Sequence, residues 1–121
     1  MSLFEGLGGE IGMRRFVDEL SRRTADDPHL GPMFDAIDAA ALQQHRERYF
    51  AAVLGGPENY SGRGLREAHR SLRLSDAQLD RFIEITDESL AVVGASAAAI
   101  REVRALVSGL RSVIVAPSSP V

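Results

Sequence analysis

Apolar residues recur at helical spacing along almost the whole chain, and glycine or proline interrupts the pattern between segments. The alternation of apolar and polar residues that is typical of half-buried strands does not occur in the sequence. We therefore predict an all-α protein. The predicted helices cover residues from about 10 to 25, 38 to 54, 64 to 72 and 76 to 93, and the last begins near residue 96.

Two local signals predict where these helices end and begin. The segment Gly55-Gly56-Pro57 predicts a stop, because glycine accepts the left-handed conformation after a last turn and proline cannot continue a helix. Ser75, followed three residues later by Gln78, forms a capping-box pattern. This pattern predicts the start of the next helix.

Composition excludes several classes of protein. The chain has 121 residues, a net charge of −3 and no cysteine. We predict one domain over residues 1–115 and a disordered tail over 116–121. Without cysteine there is no disulfide, thiolate-ligated zinc or iron–sulfur cluster. The charge gives no reason to expect nucleic acid or an anionic membrane as a partner. No apolar segment reaches the roughly 18 residues of a membrane span, and the start lacks a secretory signal, so we expect a cytoplasmic protein.

Two histidines stand on apolar faces of predicted helices. His45 follows Leu42 by three residues, and His69 follows Leu65 by four. An imidazole on such a face is costly unless a hydrogen bond or a metal satisfies it. The two helices are joined by a glycine-rich segment that lets them fold towards each other, so both rings could reach one metal ion.

The residues alone leave three interpretations of these histidines open. Each could be a core histidine that is hydrogen-bonded to a backbone carbonyl, which is the common case for a single histidine. A zinc or copper site is a second interpretation, although two histidines without cysteine supply few ligands. Haem is the third, because the porphyrin supplies four nitrogens and the protein needs to add only one or two imidazoles.

Three sequence motifs resemble one known family. The segments LFEGLGG at 3–9, FAAVLGGPENYSGR at 50–63 and LREAH at 65–69 are similar to those of the group I truncated haemoglobins, the two-over-two globins. The resemblance implies a globin-like, two-over-two sandwich of helices that binds haem b. It also implies that His69 is the proximal ligand of the iron, which makes His69 and His45 the candidate metal ligands.

The same resemblance implies where the other residues of a haem pocket lie. These residues lie on the distal side of the haem, behind the distal helix, on the penultimate helix and beside the haem propionates. The implied residues are Phe34 against the porphyrin, Leu42, His45 and Arg46 lining the distal helix, Tyr49 and Phe50 behind it, and Phe82 and Ile83 on the penultimate helix. Arg66, one turn before His69, is a candidate to pair with a haem propionate, and a solvated arginine is the alternative interpretation.

The chain departs from the family at the positions that contact the bound ligand. The family usually has tyrosine at the position of Ser21 and often glutamine at that of Arg46. Serine is too short to reach an iron-bound oxygen without a bridging water, so Arg46 or His45 must provide any hydrogen bond to it. Some cyanobacterial members carry an iron-binding histidine at the place of His45, with the same separation of 24 residues from the proximal histidine. We predict that His45 is a reversible sixth ligand; the competing hypothesis places Arg46 over the ligand and turns His45 away.

The resemblance implies reversible binding of diatomic gases (oxygen, nitric oxide, carbon monoxide), as in oxygen transport. Nitric oxide dioxygenation or another redox reaction of nitrogen oxides is left open as an enzymatic activity. Such a cycle needs a reductase that the sequence does not identify, because the chain contains no flavin or nicotinamide domain. We expect a monomer. The alternative from another functional class is a haem-free globin-like module for protein interaction or regulation.

Overall fold

A computed structural model describes residues 3–35, 37–55 and 74–115, and the regular structure in these ranges is helical throughout. The prediction of an all-α fold is therefore confirmed. The predicted helix at 64–72 and the predicted disordered tail at 116–121 lie outside the described residues. The elements are α1 (Leu3–Gly6), α2 (Gly9–Asp26), a 3-10 turn (Gly31–Phe34), α3 (Ala39–Val53), α4 (Asp76–Val92), α5 (Ala97–Ser108) and α6 (Arg111–Ile114).

The start of α4 and the end of α3 follow the signals in the sequence. The Gln78 amide donates to Ser75 Oγ at 3.1 Å, and the Ser75 amide donates to Gln78 Oε1 at 2.8 Å. This reciprocal pair satisfies two of the backbone N–H groups that a helix start leaves without partners. After α3, Gly55 has a φ of +92°, a conformation that glycine adopts without steric cost.

Helix α2 is the centre of the core and packs against α1, the 3-10 turn, α3 and α4. Its residues Phe16, Val17 and Leu20 are fully buried. Phe16 meets Phe50 of α3 edge to face, with ring centroids 4.9 Å apart. This packing fixes α3 against α2 and so determines which face of α3 points away from the core.

Helix α5 shows where the pattern of apolar residues overstates burial. Val103 and Val107, one turn apart, are buried, whereas Leu106 is 40% exposed. Helix α5 packs chiefly on one neighbour, α4, so only a narrow stripe of it is covered. In the part of the chain that the structure describes, no helix is long and apolar enough to cross a membrane.

Candidate functional site

The buried face of α3 is centred on an arginine. Arg46 is only 6% exposed, and Tyr49 and Phe50 on the same helix are buried as well. Leu42 and His45, which the sequence places on the apolar face, are half-buried. The burial of a charged side chain beside the candidate ligand His45 distinguishes this face from an ordinary core surface.

The Arg46 guanidinium is held by contacts from three other elements. Its Nη1 donates to Ser21 Oγ at 3.1 Å and to Thr24 Oγ1 at 3.2 Å, both on α2. Its central carbon lies 5.1 Å from the ring centroid of Phe34 in the 3-10 turn and 5.8 Å from that of Phe82 on α4. Both distances are within the range of cation–π attraction.

Both hydroxyl groups are oriented so that they accept from Arg46. The Thr24 hydroxyl donates its proton back to the Leu20 carbonyl at 2.9 Å. The Ser21 hydroxyl donates to Gln43 Oε1 at 2.9 Å. Because a hydroxyl has one proton, each oxygen then offers only lone pairs to the guanidinium.

Gln43 extends this network towards the surface. Its Nε2 donates to Asp18 Oδ1 at 2.6 Å and to Glu47 Oε1 at 3.3 Å. These two carboxylates therefore contact the amide and not Arg46 itself. Among the described residues, the guanidinium is connected to negative charge only through two neutral side chains, Ser21 and Gln43.

The electrostatic state of Arg46 follows from this environment. Burial lowers the pKa of Arg46 to about 10, because the charged form loses solvation. The side chain still carries its positive charge at neutral pH. No carboxylate among the described residues lies within ion-pair distance of it. By contrast, Arg81 on α4 pairs with Asp27 at 2.7 Å.

The other predicted site residues fall into three groups. Phe50 and Ile83 are buried in the core, and Phe34 and Phe82 are partly buried and pack against that core. His45 lies on α3 immediately before Arg46.

His69 and Arg66 lie outside the described residues, so the proximal side of the pocket stays a prediction. Within the described ranges, no group of three His, Cys, Asp or Glu residues could hold a metal ion.

The face around Arg46 fits one side of a flat cofactor. A porphyrin needs wide apolar surfaces that the protein's own side chains leave partly uncovered. Phe34, Leu42 and Phe82 are each half-buried, and the two rings flank one guanidinium. His45, half-buried on the same helix, adds an imidazole, a good ligand for iron.

Sequence reasoning missed Thr24 and Gln43 as parts of this site. Ser21 and Thr24 are three residues apart on α2, so both hydroxyls lie on one face, next to the buried Leu20. Two hydroxyls on an otherwise apolar helix face are a signal that a polar partner is buried against them.

Comparison with known proteins decides the family. The model of the bacterial-like globin family matches residues 2–116. The group 1 truncated hemoglobin of a Nostoc species is 32% identical over 96 residues, which cover 79% of this chain and 81% of that protein. This chain belongs to the group I truncated haemoglobins. The truncated hemoglobin of Tetrahymena pyriformis is 26% identical over 110 residues, 91% of each chain.

Solved structures confirm the two-over-two globin fold of this truncated haemoglobin. The Fe(III) form of the Tetrahymena pyriformis protein matches with a TM-score of 0.89 and 25% identity, covering 97% of this chain and all of that one. The cyanomet 2/2 hemoglobin of a Synechococcus species, which has covalently attached heme, matches with a TM-score of 0.85 and 26% identity over 93% of this chain and 95% of that one.

Proposed function

We propose that this truncated haemoglobin binds haem b and, at the haem iron, small diatomic ligands. The observation that supports the proposal is the half-buried aromatic face of Phe34 and Phe82 around the buried Arg46. An apolar wall with one fixed polar group is the usual composition of a cofactor pocket. The solved relatives named above hold Fe(III) or heme, which is consistent with this reading.

Each residue has a distinct role in the proposed site. His69 coordinates the iron from the proximal side, and Arg66 pairs with a propionate. Phe34, Leu42 and Phe82 contact the porphyrin and exclude water from its distal side. When bound, the haem iron supplies a coordination position for a gas molecule. Arg46 donates a hydrogen bond towards that position.

His45 is the proposed sixth ligand. It precedes Arg46 on α3 and is half-buried. With haem bound, His45 would supply a second histidine ligand that competes with external ligands for the iron. Two histidine ligands would favour electron transfer or nitrogen-oxide redox chemistry over bulk oxygen storage.

Haemin titration followed by absorption spectroscopy tests the proposal. We expect a Soret band that saturates at one haem per chain, and a low-spin ferrous spectrum. His69→Ala should abolish stoichiometric uptake, whereas His29→Ala, which changes an exposed histidine, should leave it intact. His45→Ala should retain haem and give a high-spin, five-coordinate ferrous form.

Two outcomes of this titration would contradict the proposal at different levels. If the wild-type chain takes up no haem, the haem-free regulatory module replaces the proposed function. If the wild-type ferrous protein is high-spin and five-coordinate, haem binding stands but His45 is not the sixth ligand.

A further inference from the structure

Resting on the proposed haem site, we propose that Arg46 makes the distal side of this pocket selective for small monovalent anions bound to ferric iron, over neutral diatomic gases. The class of ligand is a linear or bent anion with an acceptor atom beyond the one that binds iron, such as azide or nitrite. The inference concerns the charge of the occupant and goes beyond the proposed binding of gases.

The first support is the charge balance around Arg46. Within the described part of the chain, its hydrogen-bond partners Ser21 and Thr24 are neutral, and so are the Phe34 and Phe82 rings. A charge that is buried without a counter-ion is costly, and cation–π contacts offset only part of that cost. An anion bound at this face neutralises the charge of Arg46 and replaces part of the solvation that the guanidinium loses on burial.

The second support is the donor capacity that Arg46 retains. A guanidinium has five N–H donors in one plane. Both hydrogen bonds to described residues leave from Nη1. Over the described ranges, Nε and Nη2 therefore have no acceptor, and they form the edge of the fork that suits an anionic acceptor.

The third support is that the guanidinium is held in position before a ligand arrives. The Ser21 and Thr24 hydroxyls are each committed as donors elsewhere, so their oxygens accept only. Two rings restrict movement out of the plane. A preorganised cation avoids the ordering cost that a flexible surface arginine pays on binding.

Azide binding to the ferric protein, with carbon monoxide binding to the ferrous protein as the neutral comparison, tests the inference. All variants are made in the His45→Ala background, so that displacement of His45 does not mask the ligand equilibrium. Arg46→Gln removes the charge but keeps amide donors. Arg48→Gln makes the same charge change at an exposed position two residues further along α3.

We expect Arg46→Gln to raise the azide Kd by about tenfold or more, because the variant keeps hydrogen-bond donors but loses the attraction between a buried positive charge and the anion. Carbon monoxide affinity should change much less, and Arg48→Gln should alter neither. Arg46→Lys should keep most of the preference for azide. If Arg46→Gln does not fold, Arg46→Met removes the charge while its apolar side chain packs on the same rings.

The results separate this inference from the function on which it rests. No haem uptake by the wild-type chain overturns both. Normal haem uptake with equal azide affinity in Arg46→Gln and Arg48→Gln overturns the anion preference alone. An equal loss of azide and carbon monoxide affinity in Arg46→Gln also overturns it, because a change in pocket shape would then explain the result.

Discussion

Thr24 provides one of the two hydroxyl oxygens that accept from the buried Arg46. Valine has almost the same shape as threonine but accepts no hydrogen bond. We expect Thr24→Val to lower the free energy of unfolding, because it leaves a buried cation with one hydrogen-bond acceptor among the described residues. The expected loss is about 1.5–3 kcal/mol, the range for hydrogen bonds to charged groups, and urea denaturation measures it.

Thr86→Val is the matched control for this prediction. Thr86 is as buried as Thr24, and its hydroxyl donates only to the Phe82 carbonyl at 2.8 Å. Both substitutions replace a buried hydroxyl with a methyl group, so the difference between them isolates the bond to Arg46. Equal losses in the two variants would show that Arg46 does not depend on Thr24.

For Arg46, the sequence predicted the position on the distal helix but not the burial of the side chain. Its place on the distal helix followed from the resemblance, but its burial did not follow from helical periodicity. Charged residues are normally assigned to the exposed face. The acceptors that make burial tolerable lie on α2, more than 20 residues earlier in the chain. The sequence pattern placed His45 on the apolar face of the helix, yet the structure leaves it half-buried.

At the scale of elements, Asp27 joins the end of α2 to the following turn and to α4. Its Oδ2 accepts from the His29 and Leu30 amides at 3.0 Å each, and its Oδ1 accepts from Arg81 Nε at 2.7 Å. Burial raises the pKa of Asp27, but the hydrogen bonds from Arg81 and from these amides outweigh it, so the pKa lies below the ordinary value of 3.8. The ionised carboxylate therefore stabilises the fold.

The direction of this shift predicts a pH dependence. The unfolded chain binds the proton more readily than the folded one, so the stabilisation is present above about pH 4 and is lost as the pH falls through the folded value. We expect Asp27→Asn to lower the urea midpoint at pH 7. The gap between this variant and the wild type should shrink as the pH falls from about 4 towards 2.

Asp26→Asn is the control, because it makes the same change at an exposed neighbour. It should shift the urea midpoint little at pH 7. A gap between Asp27→Asn and the wild type that stays constant down to about pH 2 would show that the carboxylate charge does not stabilise the fold.

Element boundaries were the most predictable part of the structure. The capping box at Ser75 and the glycine stop at Gly55 each act within a few residues, so sequence alone contains them. Coverage of a helix face depends on its neighbours, which is why Leu106 is 40% exposed although it belongs to the apolar pattern of α5. The polar network between α2 and α3 was missed for the same reason, since it exists only once the two helices pack.

At the scale of the whole molecule, Arg46 contributes to the electrostatic field differently from the exposed charges. The chain has 17 acidic and 14 basic residues, and solvent and salt screen those at the surface. Arg46 is buried and so acts through a medium of lower effective dielectric constant. Its charge therefore has a stronger effect on a charge change inside the proposed pocket than a surface charge has.

The reduction potential of bound haem measures this field directly. Ferric haem carries one more positive charge than ferrous haem, so a nearby buried cation favours the ferrous form. Arg46→Gln should therefore lower the midpoint potential, whereas Arg48→Gln, an equal change in net charge at an exposed position, should move it much less. Spectroelectrochemical titration in the absence of added anions gives both values. Equal shifts in the two variants would mean that only net charge matters, and the buried position of Arg46 would then have no special influence on the iron.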